Sequence, residues 1–129
     1  MKKSEAIAAC LDEQYETMRL GFETADANLI TDGFYAPDAW VVGGDEMTWA
    51  GSDKVRELYQ GIVGAYVWEQ RRERLVMLGD DAAIDFLIGK ITPVEPGEPL
   101  IYKLQFTWQY IQDEWKCVSQ FFAHGTTFQ

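Results

Sequence analysis

Apolar residues recur at steps of three and four over residues 4–25, where Ile7, Leu11, Tyr15, Met18, Phe22 and Ala25 share one side of a helical projection. Glu5, Asp12, Glu13, Glu16, Arg19 and Glu23 take the other faces, and Ser4 is placed to cap the start. Asp26 caps a second, shorter predicted helix running to about Tyr35, with Leu29, Ile30 and Phe34 apolar. Pro37 disfavours helical geometry at the residue before it and stops this helix. A β-prone run over 39–43 leads to a turn at Gly43-Gly44-Asp45. Trp49-Ala50-Gly51 enters a third predicted helix, with Ser52 as N-cap and Asp53 at its positive end. Val55, Leu58, Tyr59, Ile62 and Val63 form its apolar face, and Gly64 marks its stop.

From residue 66 the period changes. Residues 66–78, 83–92, 100–111 and 115–124 read as strands. The connections are a turn at Gly79-Asp80-Asp81, a proline-rich loop from Pro93 to Pro99, and a tight hairpin at Gln112-Asp113-Glu114. Helices followed by a run of hairpins is the α+β pattern. The prediction is one domain over 1–129: three N-terminal helices on a strongly curved, mostly antiparallel sheet, a cone-shaped roll.

Parity assigns faces. Leu104, Phe106, Trp108 and Tyr110 share the helix-facing side of their strand, opposite Lys103, Gln105, Thr107 and Gln109. In the last strand, Trp115, Cys117, Ser119, Phe121 and Ala123 alternate with Lys116, Val118, Gln120, Phe122 and His124. The second set carries apolar residues on what parity makes the outer face, so a homodimer through that face is expected.

The formal net charge of −10 argues against nucleic-acid binding and against docking on anionic lipid. Arg71, Arg72 and Arg74 alternate with Glu69 and Glu73 and read as a solvated strand face with cross-strand charge pairs. Two cysteines, Cys10 and Cys117, sit in no metal-ligand spacing, so neither a zinc site nor any other metal is expected, and buried reduced thiols are. The N-terminal apolar run is too short for a signal segment and no stretch reaches membrane-span length, which places the expectation in the cytoplasm. Aromatic residues make up 14% of the chain, enough to line a pocket as well as fill a core.

Several phrases resemble the nuclear-transport-factor-2-like (SnoaL-like, cystatin-like) superfamily. Phe34-Tyr35-Ala36-Pro37-Asp38-Ala39 is similar to its helix-exit phrase. Trp49-Ala50-Gly51-Ser52-Asp53-Lys54-Val55 is similar to its entry into the third helix. Leu78-Gly79-Asp80-Asp81-Ala82-Ala83 resembles a strand turn, and Asp113-Glu114-Trp115-Lys116-Cys117-Val118 the closing hairpin. The resemblance implies a cone of sheet around helices, open at one end and usually dimeric. It implies no single chemistry, since such folds host isomerases, cyclases, dehydratases and non-catalytic modules.

Carried over by position, the general base of the ketosteroid-isomerase-like members falls at Gly43, which cannot take a proton, and their oxyanion acid near Thr107. Positions that hold inward Arg and His residues in kinase-association-domain members fall at Phe106, Ser119 and Phe121, so the resemblance implies an apolar pocket instead of a polar one.

Among the titratable residues, Asp85 lies between Ile84 and Phe86, and facing inward it would serve as a general acid or base, facing outward as a solvated carboxylate. Asp38 belongs to the helix-exit phrase and reads as a backbone cap, Asp45 and Glu46 as rim charges. His124 shares parity with Phe122 on the outer face and has no triad partner at a suggestive spacing. The expected pocket gathers Tyr15, Phe22, Phe34, Trp40, Trp49 and Tyr59 with Trp68, Phe106, Trp108, Ser119 and Phe121. The expected function is binding of an uncharged apolar or aromatic molecule, without a cofactor. An acid–base isomerase, cyclase or dehydratase using Asp85 with a Tyr or Trp donor, and a non-catalytic dimerisation module, are the alternatives. An inward Asp85 hydrogen-bonded to a tyrosine would favour the enzyme.

Overall fold

The computed structural model describes residues 3–44 and 47–129. The helices are α1 (Lys3–Glu23), α2 (Ala27–Gly33) and α3 (Ser52–Gln60). The strands are β1 (Tyr35–Val42), β2 (Thr48–Ala50), β3 (Tyr66–Met77), β4 (Ala82–Pro93), β5 (Leu100–Ile111) and β6 (Glu114–His124). They form one six-stranded sheet in the order β2-β1-β6-β5-β4-β3. Every neighbouring pair is antiparallel except β1 with β6. Three helices on a mostly antiparallel sheet is the predicted architecture.

The apolar stripe of α1 behaves as its spacing dictates: Ile7, Leu11, Tyr15, Met18 and Phe22 are all buried against the sheet. Each large side chain so removed from water stabilises the fold by roughly 1.5–3 kcal/mol. Asp26 caps α2, its Oδ1 accepting from Leu29 N at 3.0 Å.

Four local expectations are corrected. Strand β1 starts at Tyr35 and contains Pro37, which the sequence reading left outside any strand. The ladder to β6 is irregular between Tyr35 and Trp40, so no pairing N–H is demanded of the proline. Ser52 does not cap α3; Gly51 holds that position, and Ser52 Oγ instead donates to the exposed Pro37 carbonyl at 2.9 Å. Trp49 and Ala50 form an edge strand, β2, hairpinned onto β1. Helix α3 also ends before Gly64, which sits at φ +81° and whose N–H reaches Phe22 O at 3.2 Å.

Two bulges decide which side chains enter the molecule. In β6, Ser119 pairs with Thr107 but Cys117 pairs with Trp108, so Val118 has no partner. An extra residue on one strand reverses the alternation beyond it. Trp115 and Cys117 face the helices before the bulge, and Gln120 and Phe122 face them after it. In β3 the register shifts between Arg72 and Arg74, leaving Glu73 unpaired. Arg72 faces inward by plain alternation from Trp68, while Arg71 stays outside and pairs with Glu73; beyond the bulge Leu75 and Met77 take the inner face. Arg72 is therefore not part of a solvated strand face.

Candidate functional site

Between α3, the end of α1 and the open end of the sheet lies a cavity of about 290 Å³. Phe22 of α1, Leu58 and Tyr59 of α3, and Ile62 after it form the helical wall. Trp68, Ile91, Leu104, Gln120 and Phe122 form the sheet wall, with Tyr66, Leu100, Tyr102, Trp49 and Met47 around them. Flat rings dominate: Phe22 stacks on Trp68 with centroids 5.9 Å apart, and Trp49 on Phe122 at 6.1 Å.

One chain of hydrogen bonds links two phenols to an amide of the cavity wall. Tyr59 Oη lies 2.5 Å from Tyr35 Oη, and Tyr35 O–H donates to Gln120 Oε1. Burial pushes both phenols well above the ordinary tyrosine range, so they are neutral donors at physiological pH. Trp68 Nε1 is engaged by Gln70 Oε1 at 2.7 Å. Among the described residues, no carboxylate, histidine or lysine lines this cavity.

Beneath it, a second cluster is packed solid. Tyr15, Phe34, Phe106 and Trp108 meet ring to ring, with Phe34 and Trp108 centroids 4.8 Å apart and Tyr15 and Phe106 5.6 Å apart. These four were expected to line the pocket and instead fill the core, because the sheet closes directly on α1 and α2 here.

Asp85 is fully buried and points inward. Tyr15 O–H donates to its Oδ2 at 2.8 Å, and Arg72 grips both oxygens, Nε lying 2.9 Å from Oδ1 and Nη2 2.9 Å from Oδ2. Trp108 Nε1 donates to Tyr15 Oη at 3.2 Å, and Arg72 Nη2 also reaches Asp12 Oδ1 at 3.0 Å. Burial, and then the adjacent Asp85 carboxylate, pushes the Tyr15 phenol far up. The inward Asp–Tyr pair is thus present, but Arg72 neutralises it and it does not border the cavity. A carboxylate already holding a bidentate guanidinium is poorly placed to take a proton from a ligand.

Of the expected pocket residues, Phe22, Trp49, Tyr59 and Trp68 line the cavity. Phe121 and Trp40 are corrected: they are 53% and 55% exposed, because the bulge turns Phe121 outward and Trp40 alternates away from buried Ala39 and Val41. Ser119 pairs with Thr107 outside the cavity lining. Phe122 and His124 are corrected in the opposite sense. Phe122 lines the cavity, and the exposed His124 lies over Tyr102 with centroids 4.7 Å apart on that same side. Asp38 is exposed in the irregular part of β1, and Asp45 and Glu46 lie outside the described residues. Cys117 is buried as expected, and Cys10 is exposed.

The residues that parity misplaces are Gln120 and Phe122; Tyr102 has the helix-facing parity of Leu104 but is not among the expected pocket residues. The sequence signal for the first two is an apolar residue on both faces of β6, which marks a strand whose alternation changes. Gly43 borders the cavity: a Cβ there would stand 2.8 Å from Phe122 Cζ and 3.1 Å from Met47 Cε. The base position implied by the family resemblance is thus beside the cavity and carries no side chain.

No protein-family model matches the chain. No curated protein matches it by sequence. Solved structures do match it in shape. A ketosteroid isomerase-like protein from Erwinia carotovora atroseptica SCRI1043 superposes with a TM-score of 0.73 at 15% identity, covering 92% of this chain and 96% of that one. A nuclear transport factor 2-like superfamily protein from Salmonella enterica serovar Typhimurium LT2 gives 0.78 at 13% identity, over 98% and 96%. A domain of unknown function with a cystatin-like fold from Nostoc punctiforme gives 0.78 at 9% identity, over 99% and 82%. At these identities the shared property is the fold.

Proposed function

We propose that this chain, whose fold is the cystatin-like, nuclear-transport-factor-2-like one, binds a small uncharged apolar or aromatic molecule in the cavity between α3 and the sheet. The observation that carries the reading is the composition of the wall: stacked aromatic rings and aliphatic side chains, one buried amide, and no carboxylate, histidine, lysine or arginine among the described residues. Apolar walls with a few placed polar groups are the usual makeup of a small-molecule site. A volume of about 290 Å³ suits a ligand of one or two fused rings. A carboxylate would lose its hydration there without a cation to replace it.

The acid–base enzyme lacks support, because Asp85 is ion-paired away from the cavity and Gly43 offers no base. No helix among the described residues is long and apolar enough to cross a membrane. With two free cysteines, a reducing cytoplasm is the compartment proposed. A homodimer through the outer sheet face belongs to the same proposal, with Phe121 and Trp40 as its exposed apolar groups.

Titration with tetralin, followed by tryptophan fluorescence, tests the ligand class. Saturable binding is expected, with 2-naphthoate at least about tenfold weaker, and Leu58→Trp, which fills the cavity, should abolish it. Absence of tetralin binding to the unmodified protein overturns the proposal.

A further inference from the structure

Gln120 is 5% exposed, yet it is a wall residue of the cavity. Its carbonyl oxygen is occupied by Tyr35 O–H. A phenol has one proton to give. Since Tyr35 gives its proton to Gln120, the proton between the two phenols belongs to Tyr59. The chain therefore runs in one direction, from Tyr59 to Tyr35 to Gln120 Oε1, and it fixes the amide plane. The amide nitrogen stands at its far end with two protons and no protein acceptor among the described residues. No fully enclosed side-chain polar atom among the described residues lacks a partner. The unpartnered nitrogen is therefore reached from the cavity.

We infer that Gln120 Nε2 is the recognition donor of this site, and that its ligand is a flat apolar molecule carrying a neutral carbonyl, of ketone or amide type, which accepts that hydrogen bond. This rests on the cavity being a ligand site. An amide N–H facing apolar walls loses its hydrogen bond to water and regains it only from a ligand acceptor. The acceptor is neutral, because one amide dipole does not replace the hydration of an anion, and no cationic side chain among the described residues lines the cavity. Tyr59 and Tyr35 act as positioning residues: they hold the amide so that it presents N–H and not C=O.

The test uses 1-tetralone, its hydrocarbon counterpart tetralin, and 1-tetralol. The unmodified protein should bind tetralone about fivefold more tightly than tetralin once each affinity is corrected for partition from water, the contribution of one neutral hydrogen bond. In Gln120→Leu the corrected ratio should fall to about one, whatever happens to both affinities in common. Gln120→Met, close in volume, is the second variant should leucine disturb folding. In the infrared, the carbonyl stretch of bound tetralone should move to lower wavenumber than in hydrocarbon solvent, and Gln120→Met should reverse that shift. Equal corrected binding of tetralone and tetralin with no infrared shift overturns the inference and leaves the apolar site standing. Tighter corrected binding of tetralol than tetralone also overturns it, since the wall would then present an acceptor. Failure of all three to bind removes the site itself.

Discussion

Arg72 of β3 reaches diagonally to Asp85 of β4 inside the protein, with Arg72 Nε 2.9 and 3.1 Å from the two carboxylate oxygens. The carboxylate is fully buried while the arginine keeps 24% of its side chain exposed, so the charge left stranded by mutation is the one that water cannot reach. Arg72→Leu should cost about 3–5 kcal/mol in urea unfolding, the usual penalty for an uncompensated buried charge. Replacing both, Arg72→Leu with Asp85→Leu, should recover most of that loss. A single-variant cost below about 1 kcal/mol would show the pair to be dispensable.

The phenols of Tyr15, Tyr35 and Tyr59 are all held neutral by burial, their pKa values raised above the ordinary 10.0. Above pH 10 the unfolded chain releases these protons and the folded chain keeps them, so unfolding is favoured as pH rises. Their contribution is full below pH 10 and is lost above it. Phenolate absorbance should accordingly show that three of the six tyrosines ionise only with unfolding. Tyr35→Phe should flatten the alkaline loss of stability; an unchanged slope contradicts the assignment.

Gly21 lies where α1 meets α2. A Cβ there would stand 2.3 Å from Cγ1 and 2.6 Å from Cδ1 of Ile30, a fully buried side chain with nowhere to retreat. Alanine gains about 1 kcal/mol of helix propensity over glycine, but overpacking costs about 1–3 kcal/mol. Gly21→Ala should therefore be net destabilising by thermal or urea unfolding. A stabilised variant would mean that the two helices separate freely.

Phe121 and Phe122, adjacent in sequence, should give opposite results. Phe121→Glu places a charge on the exposed sheet face and should convert a dimer to a monomer in light scattering, with tetralin binding retained. Phe122→Glu places it in the cavity wall and should weaken tetralin binding with the mass unchanged. The reverse pattern would put the interface on the helical side.

The amphipathic period of α1, the Asp26 cap and the hairpin punctuation were readable because each depends only on residues close in sequence. Leu104, Phe106 and Trp108 faced inward as their alternation required, since β5 runs without a bulge through that stretch. Tyr110 has the same parity but is 45% exposed, its ring packing on Trp115 with centroids 5.4 Å apart near the end of β5.

What the sequence determined by itself was the set of elements and the apolar stripe of each. The tertiary structure decided which residues reach the cavity. One unpaired residue, Val118, exchanged Phe121 for Gln120 and Phe122 at the wall, and one at Glu73 put Leu75 in place of Arg74 on the inner face. A bulge is a property of two strands in register: apolar residues on both faces of β6 mark that its alternation changes, but not at which residue. The same holds for the Tyr59–Tyr35–Gln120 chain, whose members stand on α3, β1 and β6 and become neighbours only when the sheet folds over the helices.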